Sequence, residues 1–391
     1  MSYSPPASAK PFTLNISDQA ISEWRQLLQL SKLAPDTFET QQEDRRFGVT
    51  HKWLSETKDY WLNKYDWRAQ EKHINSVPHY KMQIEFVHLH FTALFSENKD
   101  AVPILFMHGW PGSFLEFLPM LQLIKTKYST KHLPYHIIVP SLPGFTLSTI
   151  QSNSDWTNKD TGRILNQLML TLGFNKYLVQ GGDVGSFVAQ VMSATYDGCV
   201  GMHLNMLPTA GKPDENTPLS NLEKEALART QAWEPLGMGY AIEHGSRPST
   251  IANVLSSNPL AILAWIGEKF LEWTDEDPSI DEILTNVSLY WFTNCITRSI
   301  YTYRELFRGG VVNIDEPAKS DKPLGISWFQ FEFRPIFESV AAKNHNLVFY
   351  KQHERGGHFA ALERPNELFE DVEAFVSKAW KTWSSHEPAK L

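Results

Sequence analysis

The sequence contains only two cysteines, Cys199 and Cys295, among its 391 residues. Two thiols cannot form a disulfide framework or a thiolate zinc site, and their scarcity favours a reducing compartment. No window approaches the roughly 18 uninterrupted apolar residues of a membrane-spanning helix. Residues 1–11 are polar and rich in serine and proline, without the apolar segment of a signal peptide. We therefore expect a soluble, cytoplasmic protein.

An excess of basic residues is also missing. The chain has 36 Lys and Arg against 44 Asp and Glu, which gives a formal net charge of −8. Nucleic-acid binding needs a basic face, and anionic membranes attract polybasic segments, so neither is an expected partner. What the sequence does have is the composition of a globular enzyme, with 42% hydrophobic and 13% aromatic residues.

Strand and helix patterns alternate through most of the chain and predict an α/β fold. Three short, continuously apolar runs indicate parallel strands buried on both faces of a central sheet: 104–107, 136–139 and 177–179. An alternating pattern at Met82, Ile84 and Phe86 predicts an antiparallel edge before them. We expect three parts: an aromatic N-terminal meander over 1–80, a core over 81–205 and 316–391, and a helical lid over 206–315.

The stretch Gly181-Gly182-Asp183-Val184-Gly185 joins a strand pattern to a helix pattern. Its spacing has the shape of the nucleophile elbow G-x-S-x-G, with Asp183 in the place of the serine. Glycines flank such a residue because the turn is too tight for a Cβ. We interpret Asp183 as a nucleophile. A simple helix N-cap is the alternative, and a dinucleotide-binding turn is less favoured because no G-x-G-x-x-G is present.

Two further loops fit a nucleophile at Asp183. The loop His108-Gly109-Trp110-Pro111-Gly112-Ser113 follows a predicted parallel strand, where such loops supply one N–H of an oxyanion hole. The other N–H comes from the residue after the nucleophile, so the amides of Trp110 and Val184 are assigned. His358, between glycines and the last helix, follows Asp183 in the chain order of α/β-hydrolase triads.

The acid that orients His358 is expected at the end of the preceding strand. Glu332 is the first carboxylate after the strand pattern 325–331. Asp321 and Glu354 are the alternatives, although Asp321 is predicted on the loop before the strand and Glu354 on the surface.

The three motifs HGWPGS at 108–113, GGDVGS at 181–186 and GGHFAALERP at 356–365 resemble those of epoxide hydrolases of the microsomal type. The resemblance covers nearly the whole chain and is nearest to soluble fungal members. It implies an α/β-hydrolase fold with a helical lid, and conversion of epoxides to diols with water as the second substrate. It also implies two lid tyrosines that donate to the epoxide oxygen; by position these match Tyr240 and Tyr303, while spacing does not exclude Tyr301.

Aspartate suits this chemistry because alkylation of a carboxylate gives an ester, which water can cleave, whereas alkylation of serine gives an ether. No metal or organic cofactor is expected, and a homodimer is left open. A haloalkane dehalogenase uses the same Asp–His–acid logic, but Val184 removes one halide donor and only Trp110 remains. An esterase is weaker still, because an aspartate nucleophile would form an anhydride. A non-catalytic binding protein of this fold would usually lack a catalytic residue.

Overall fold

The computed structural model describes residues 3–151, 153–207, 213, 217–306 and 320–384. Within this part a single nine-stranded sheet has the order β1-β2-β3-β5-β4-β6-β7-β8-β9. The strands are β1 (Lys10–Phe12), β2 (His79–Ile84), β3 (Val87–Leu94), β4 (Val102–Met107), β5 (Tyr135–Pro140), β6 (Tyr177–Gly181), β7 (Cys199–Leu204), β8 (Leu324–Phe331) and β9 (Leu347–Gly357).

Six neighbouring strands of this sheet, in the order β5-β4-β6-β7-β8-β9, pair in parallel. Ile104 of β4 is opposite Ile137 of β5 and Leu178 of β6. Every residue of β4, β5, β6 and β7 is buried, as expected of strands covered by helices on both faces. The predicted parallel core is therefore confirmed. Because parallel strands end at one edge of the sheet, the loops after β4, β6 and β8 lie together there.

The antiparallel edge consists of β1, β2 and β3, and β3 joins the parallel strands by pairing with β5. Glu85 turns the β2–β3 hairpin with a φ of 51°, so the alternating pattern ends earlier than predicted. Phe86 lies in this turn and is 45% exposed, and its prediction as a strand residue was wrong.

The helices of the described residues are α1 (Asp18–Leu30), α2 (His51–Asn63), α3 (Trp67–Ile74), α4 (Leu118–Lys127), α5 (Asn158–Thr171), α6 (Asp183–Thr195), α7 (Asn221–Gly237), α8 (Gly239–Ser246), α9 (Pro248–Ser256), α10 (Pro259–Glu272), α11 (Ile280–Thr293), α12 (Ile296–Ser299), α13 (Thr302–Leu306), α14 (Glu338–Asn344), α15 (Ala360–Glu363) and α16 (Pro365–Ser384). Side-chain oxygens of Ser17 and Asn258 cap the N-termini of α1 and α10. Among these helices no single one is long and apolar enough to cross a membrane, and the pair α9–α10 reaches that length only with a 116° bend.

We interpret α7 to α13 as the lid. The N-terminal meander reaches this lid as well as the sheet: β1 extends the sheet edge, while α2 and its C-terminal turn contact α11. Trp61 Nε1 donates to Ser288 Oγ over 3.2 Å, and the Tyr65 hydroxyl lies 3.1 Å from Thr285 Oγ1. The N-terminal segment therefore packs against α11 as well as against the edge of the sheet. The predicted end of the lid at residue 315 lies outside the described residues.

Candidate active site

Strand β6 ends at Gly181, and Asp183 is the first residue of α6. Asp183 therefore lies at the edge of the sheet where the parallel strands end. Asp183 has a φ of 46°, in the left-handed region, so the turn is sharp and the side chain projects away from the sheet. A Cβ at Gly181 would collide with the Gly185 backbone, and one at Gly185 with the Met107 carbonyl at the end of β4. Both glycines are therefore required by the close approach of the elbow to its neighbours.

The loop after β4 holds one oxygen of the Asp183 carboxylate. The amide of Trp110 donates to Asp183 Oδ1 over 2.7 Å. Helix α11 of the lid fixes this loop, because Asn286 Nδ2 donates to the Pro111 carbonyl and the Tyr290 hydroxyl donates to the Gly112 carbonyl.

Val184 lies in the first turn of α6, where amides have no acceptor within the helix. Among the described residues, no hydrogen bond joins the Val184 amide to the Asp183 side chain. The N–H remains next to Asp183, at the positive end of the helix dipole.

His358, directly after β9, faces the other oxygen of the nucleophile candidate. His358 Nε2 lies 3.5 Å from Asp183 Oδ2, and His358 Nδ1 lies 2.9 and 3.1 Å from the two oxygens of Glu332. The ring stacks on Phe333, with centroids 4.2 Å apart, and the His358 amide donates to the Trp273 carbonyl over 2.9 Å. These contacts fix both the position of the ring and the nitrogen that faces Asp183.

The charges beside His358 set its proton affinity. Burial by itself lowers the pKa of His358, but Glu332 and Asp183 outweigh burial and raise this pKa well above its ordinary value. Only 2% of the His358 side chain and 1% of the Glu332 side chain are exposed, so water screens this pair little. In the resting protein the imidazolium form is therefore favoured.

Glu332 follows β8 and its Oε1 also accepts from the Phe333 amide over 2.7 Å. The two other carboxylates that the sequence offered as partners of His358 are both exposed to solvent. Asp321 precedes β8, and Glu354 lies on β9. Of the three carboxylates, Glu332 is the one that contacts His358.

Two lid tyrosines lie across a cavity from Asp183. Tyr240 of α8 and Tyr303 of α13 are buried with ring centroids 5.6 Å apart, and both line this cavity with Asp183 and Val184. Burial and the charge of Asp183 raise the pKa of Tyr240; burial, Tyr240 and Asp183 raise that of Tyr303. The hydroxyl of Tyr301 instead lies 2.7 Å from Thr161 Oγ1, away from this cavity.

The cavity has an empty volume of about 850 Å³, including space open to solvent. Apart from the groups already named, most of its walls are apolar, formed by Phe187, Leu207, Trp233, Met238 and Phe333. Such a chamber suits an apolar molecule with one polar atom presented to the phenols.

Comparisons with known proteins agree with this geometry. Residues 9–117 match the family described as epoxide hydrolase N terminus, and residues 102–236 match the alpha/beta hydrolase fold. A putative epoxide hydrolase of Dothistroma septosporum is 41% identical over 382 residues, which cover 95% of this chain and 90% of that protein. The chain belongs to the epoxide hydrolase family.

Other members of the epoxide hydrolase family support the same assignment. Epoxide hydrolase 1 of Sus scrofa is 31% identical over 412 residues, covering 94% of this chain and 88% of the relative. The structure of Aspergillus niger epoxide hydrolase superposes with a TM-score of 0.90 at 44% identity, covering 97% of this chain and 100% of that one. The predicted family and the predicted α/β-hydrolase fold are confirmed.

One carboxylate beside the epoxide hydrolase site was missed by the sequence reasoning. Glu116 lines a second, smaller cavity with Asp183 and His358. The signal was a glutamate four residues after Gly112 of the HGWPGS motif, but nothing in the spacing shows that its side chain turns back toward Asp183.

Proposed function

We propose that this chain converts epoxides to vicinal diols in two steps, through an alkyl ester on Asp183. The observation that carries the proposal is the placement of the Asp183 carboxylate. It lies between the Trp110 amide and His358 and faces two buried phenols across an apolar cavity. The names of the relatives support an epoxide as the substrate and water as the second substrate.

In the first step an oxygen of Asp183 attacks an epoxide carbon and the carbon–oxygen bond of the ring breaks. A carboxylate is ionised near neutral pH and needs no base for this attack. Tyr240 and Tyr303 hydrogen-bond to the ring oxygen and supply its proton. Since the pKa of each phenol is raised, both hydroxyls are protonated donors when the epoxide arrives.

In the second step His358 Nε2 takes a proton from water, and the oxygen of that water attacks the ester carbonyl of Asp183. The Trp110 and Val184 amides stabilise the tetrahedral oxyanion, and each such donor is typically worth about 3 kcal/mol. Collapse of the intermediate breaks the bond to the substrate oxygen, which takes the proton from His358 and leaves as the diol. The proton of the new Asp183 carboxyl group then returns to His358, which regenerates the Asp183 carboxylate.

The two steps are coupled through the charge of Asp183. This charge is one of those that raise the pKa of His358, and its oxygen lies 3.5 Å from Nε2. Esterification removes the charge, so the pKa of His358 falls when the ester forms. The proton that His358 releases replaces the one that the tyrosine gave to the substrate oxygen. The neutral imidazole is then a base at the point in the cycle where a base is needed.

The origin of the diol oxygen tests the proposal. In a single turnover with excess enzyme in ¹⁸O-water, we expect mostly unlabelled diol and ¹⁸O in the Asp183 carboxylate. The oxygen added to the substrate comes from the protein in this scheme. Mass spectrometry of the diol and of the peptide containing Asp183 measures both. Label in the diol at the first turnover would mean that Asp183 activates water instead. Halide release without diol from haloalkanes would favour a dehalogenase.

The proposed role of the lid tyrosines predicts a graded effect. Tyr240→Phe and Tyr303→Phe should each slow alkylation on the order of 10-fold, because the second phenol still donates to the epoxide oxygen. The double variant should lose the 10²–10⁴-fold that is typical of a positioned acid. Pre-steady-state loss of a styrene-oxide-type epoxide measures this rate.

Tyr301→Phe is the matched control, two residues away in the same segment. Its hydroxyl pairs with Thr161, so we expect alkylation near the wild-type rate. If Tyr301→Phe were severe and Tyr303→Phe mild, the assignment of the second donor would have to be exchanged.

A further inference from the structure

A second cavity adjoins the nucleophile. It has an empty volume of about 310 Å³ and shares only Asp183 with the larger apolar cavity. Its polar lining consists of Glu116, Asp183, Asn205 and His358. The two tyrosines are not part of it. Its size and its polar groups suit water rather than an epoxide with an apolar substituent.

Glu116 reaches this cavity through a gap that a glycine leaves open. It belongs to the short 3₁₀ helix Phe114–Phe117, and a Cβ at Gly112 would collide with its carboxyl group. A hydrogen bond from the Ser113 backbone acts on the Glu116 carboxyl, and among the described residues no ion pair to this carboxyl is present. Glu116 also lines an outer groove with Gln70, so the carboxyl separates the small cavity from a space open to solvent.

Three titratable groups act on Glu116: Asp183, His358 and Glu363. The pKa of Glu116 is raised to about 8, mainly by burial; Asp183 and Glu363 act in the same direction, while His358 and the hydrogen bond from the Ser113 backbone oppose them. A carboxyl that is neutral at pH 7 adds no second negative charge beside the nucleophile. It keeps a carbonyl oxygen that can accept a hydrogen bond.

We propose that Glu116 positions the water that hydrolyses the ester on Asp183, and this inference rests on the proposed function. The water lies in the small cavity, with one O–H donating to His358 Nε2 and the other to the carbonyl oxygen of Glu116. A lone pair then points at the ester carbonyl. During the attack the first proton moves to His358 and later to the departing alkoxide, while Glu116 keeps its own proton throughout.

The test compares two substitutions of Glu116 in single turnovers. Glu116→Leu fills the site without an acceptor, so hydrolysis should slow on the order of 10²-fold, the cost of a misplaced reactant. Alkylation should change less than about twofold, a bound we set because the epoxide lies in the other cavity, and the ester should accumulate. Glu116→Gln restores an acceptor oxygen of the same reach and should recover much of the hydrolysis rate. Rapid quenching with mass spectrometry of the Asp183 peptide gives both rates.

Gln70→Leu is the control, because Gln70 lines the outer groove but not the small cavity, and both of its rates should match the wild type. Equal slowing of both steps in Glu116→Leu, or unchanged hydrolysis, would overturn the role of Glu116. So would a Gln variant as slow as the Leu variant. Diol formation with no Asp183 ester in any variant would instead overturn the proposed function itself.

Discussion

Replacing Asp183 with alanine is expected to lower diol formation on the order of 10⁴–10⁶-fold, as loss of a nucleophile does in other hydrolases. The structure offers no substitute: Glu116 lies in a different cavity from the tyrosines, and Glu332 is occupied by His358. Serine at this position should be equally inactive, because its alkylation product would be an ether. Turnover of a styrene-oxide-type epoxide by the purified, metal-free protein is the measurement.

The backbone at Asp183 supplies a control for folding. Its φ of 46° is unfavourable for alanine and free of strain for glycine, a difference of about 1–2 kcal/mol. We therefore expect Asp183→Gly to unfold at a higher temperature than Asp183→Ala, with both inactive. Wild-type-like activity in either variant, or in Asp183→Ser, would exclude Asp183 as the nucleophile.

His358→Gln is expected to stop the second step and spare the first. Loss of the base should slow hydrolysis on the order of 10⁴-fold or more. Because Asp183 needs no base to attack the epoxide, the ester should form once per enzyme and remain. Mass spectrometry of the peptide containing Asp183 should show the added mass of the substrate, together with a burst of epoxide loss equal to the enzyme concentration.

Glu332→Gln is the matched variant for this experiment. The amide has the shape of the carboxylate but not the charge that raises the pKa of His358. Hydrolysis should then slow less than in His358→Gln, with partial accumulation of the ester. An unmodified peptide and no burst in His358→Gln would contradict the two-step scheme.

The local parts of this site could be predicted because their signals are local. Gly181 and Gly185 flank Asp183 within one turn, and the structure shows both glycines in contact with backbone that leaves no room for a Cβ. The apolar runs identified parallel strands, and parallel strands end at one edge, so loops far apart in the chain had to meet. Phe86 was wrongly predicted as a strand residue because the alternation of apolar and polar residues continues into a hairpin turn. The left-handed backbone of Glu85 ends strand β2 there.

The choice among similar residues depended on packing. Glu332, Asp321 and Glu354 are the same kind of group near the same two strands, and only the positions of β8 and β9 bring Glu332 to His358. The same holds for the tyrosines: Tyr301 and Tyr303 are two residues apart, and the contact of Tyr301 with Thr161 of α5 separates them.

The sequence by itself determined the family, the fold class, the aspartate elbow and the histidine that follows it, since each is written in short motifs. Only the tertiary structure decided which carboxylate contacts His358, which tyrosine lines the cavity and where Glu116 points. The physical reason is that motif spacing sets the local direction of the backbone. A side chain's partner lies on elements that are distant in the chain, and the packing of those elements sets the distance between them.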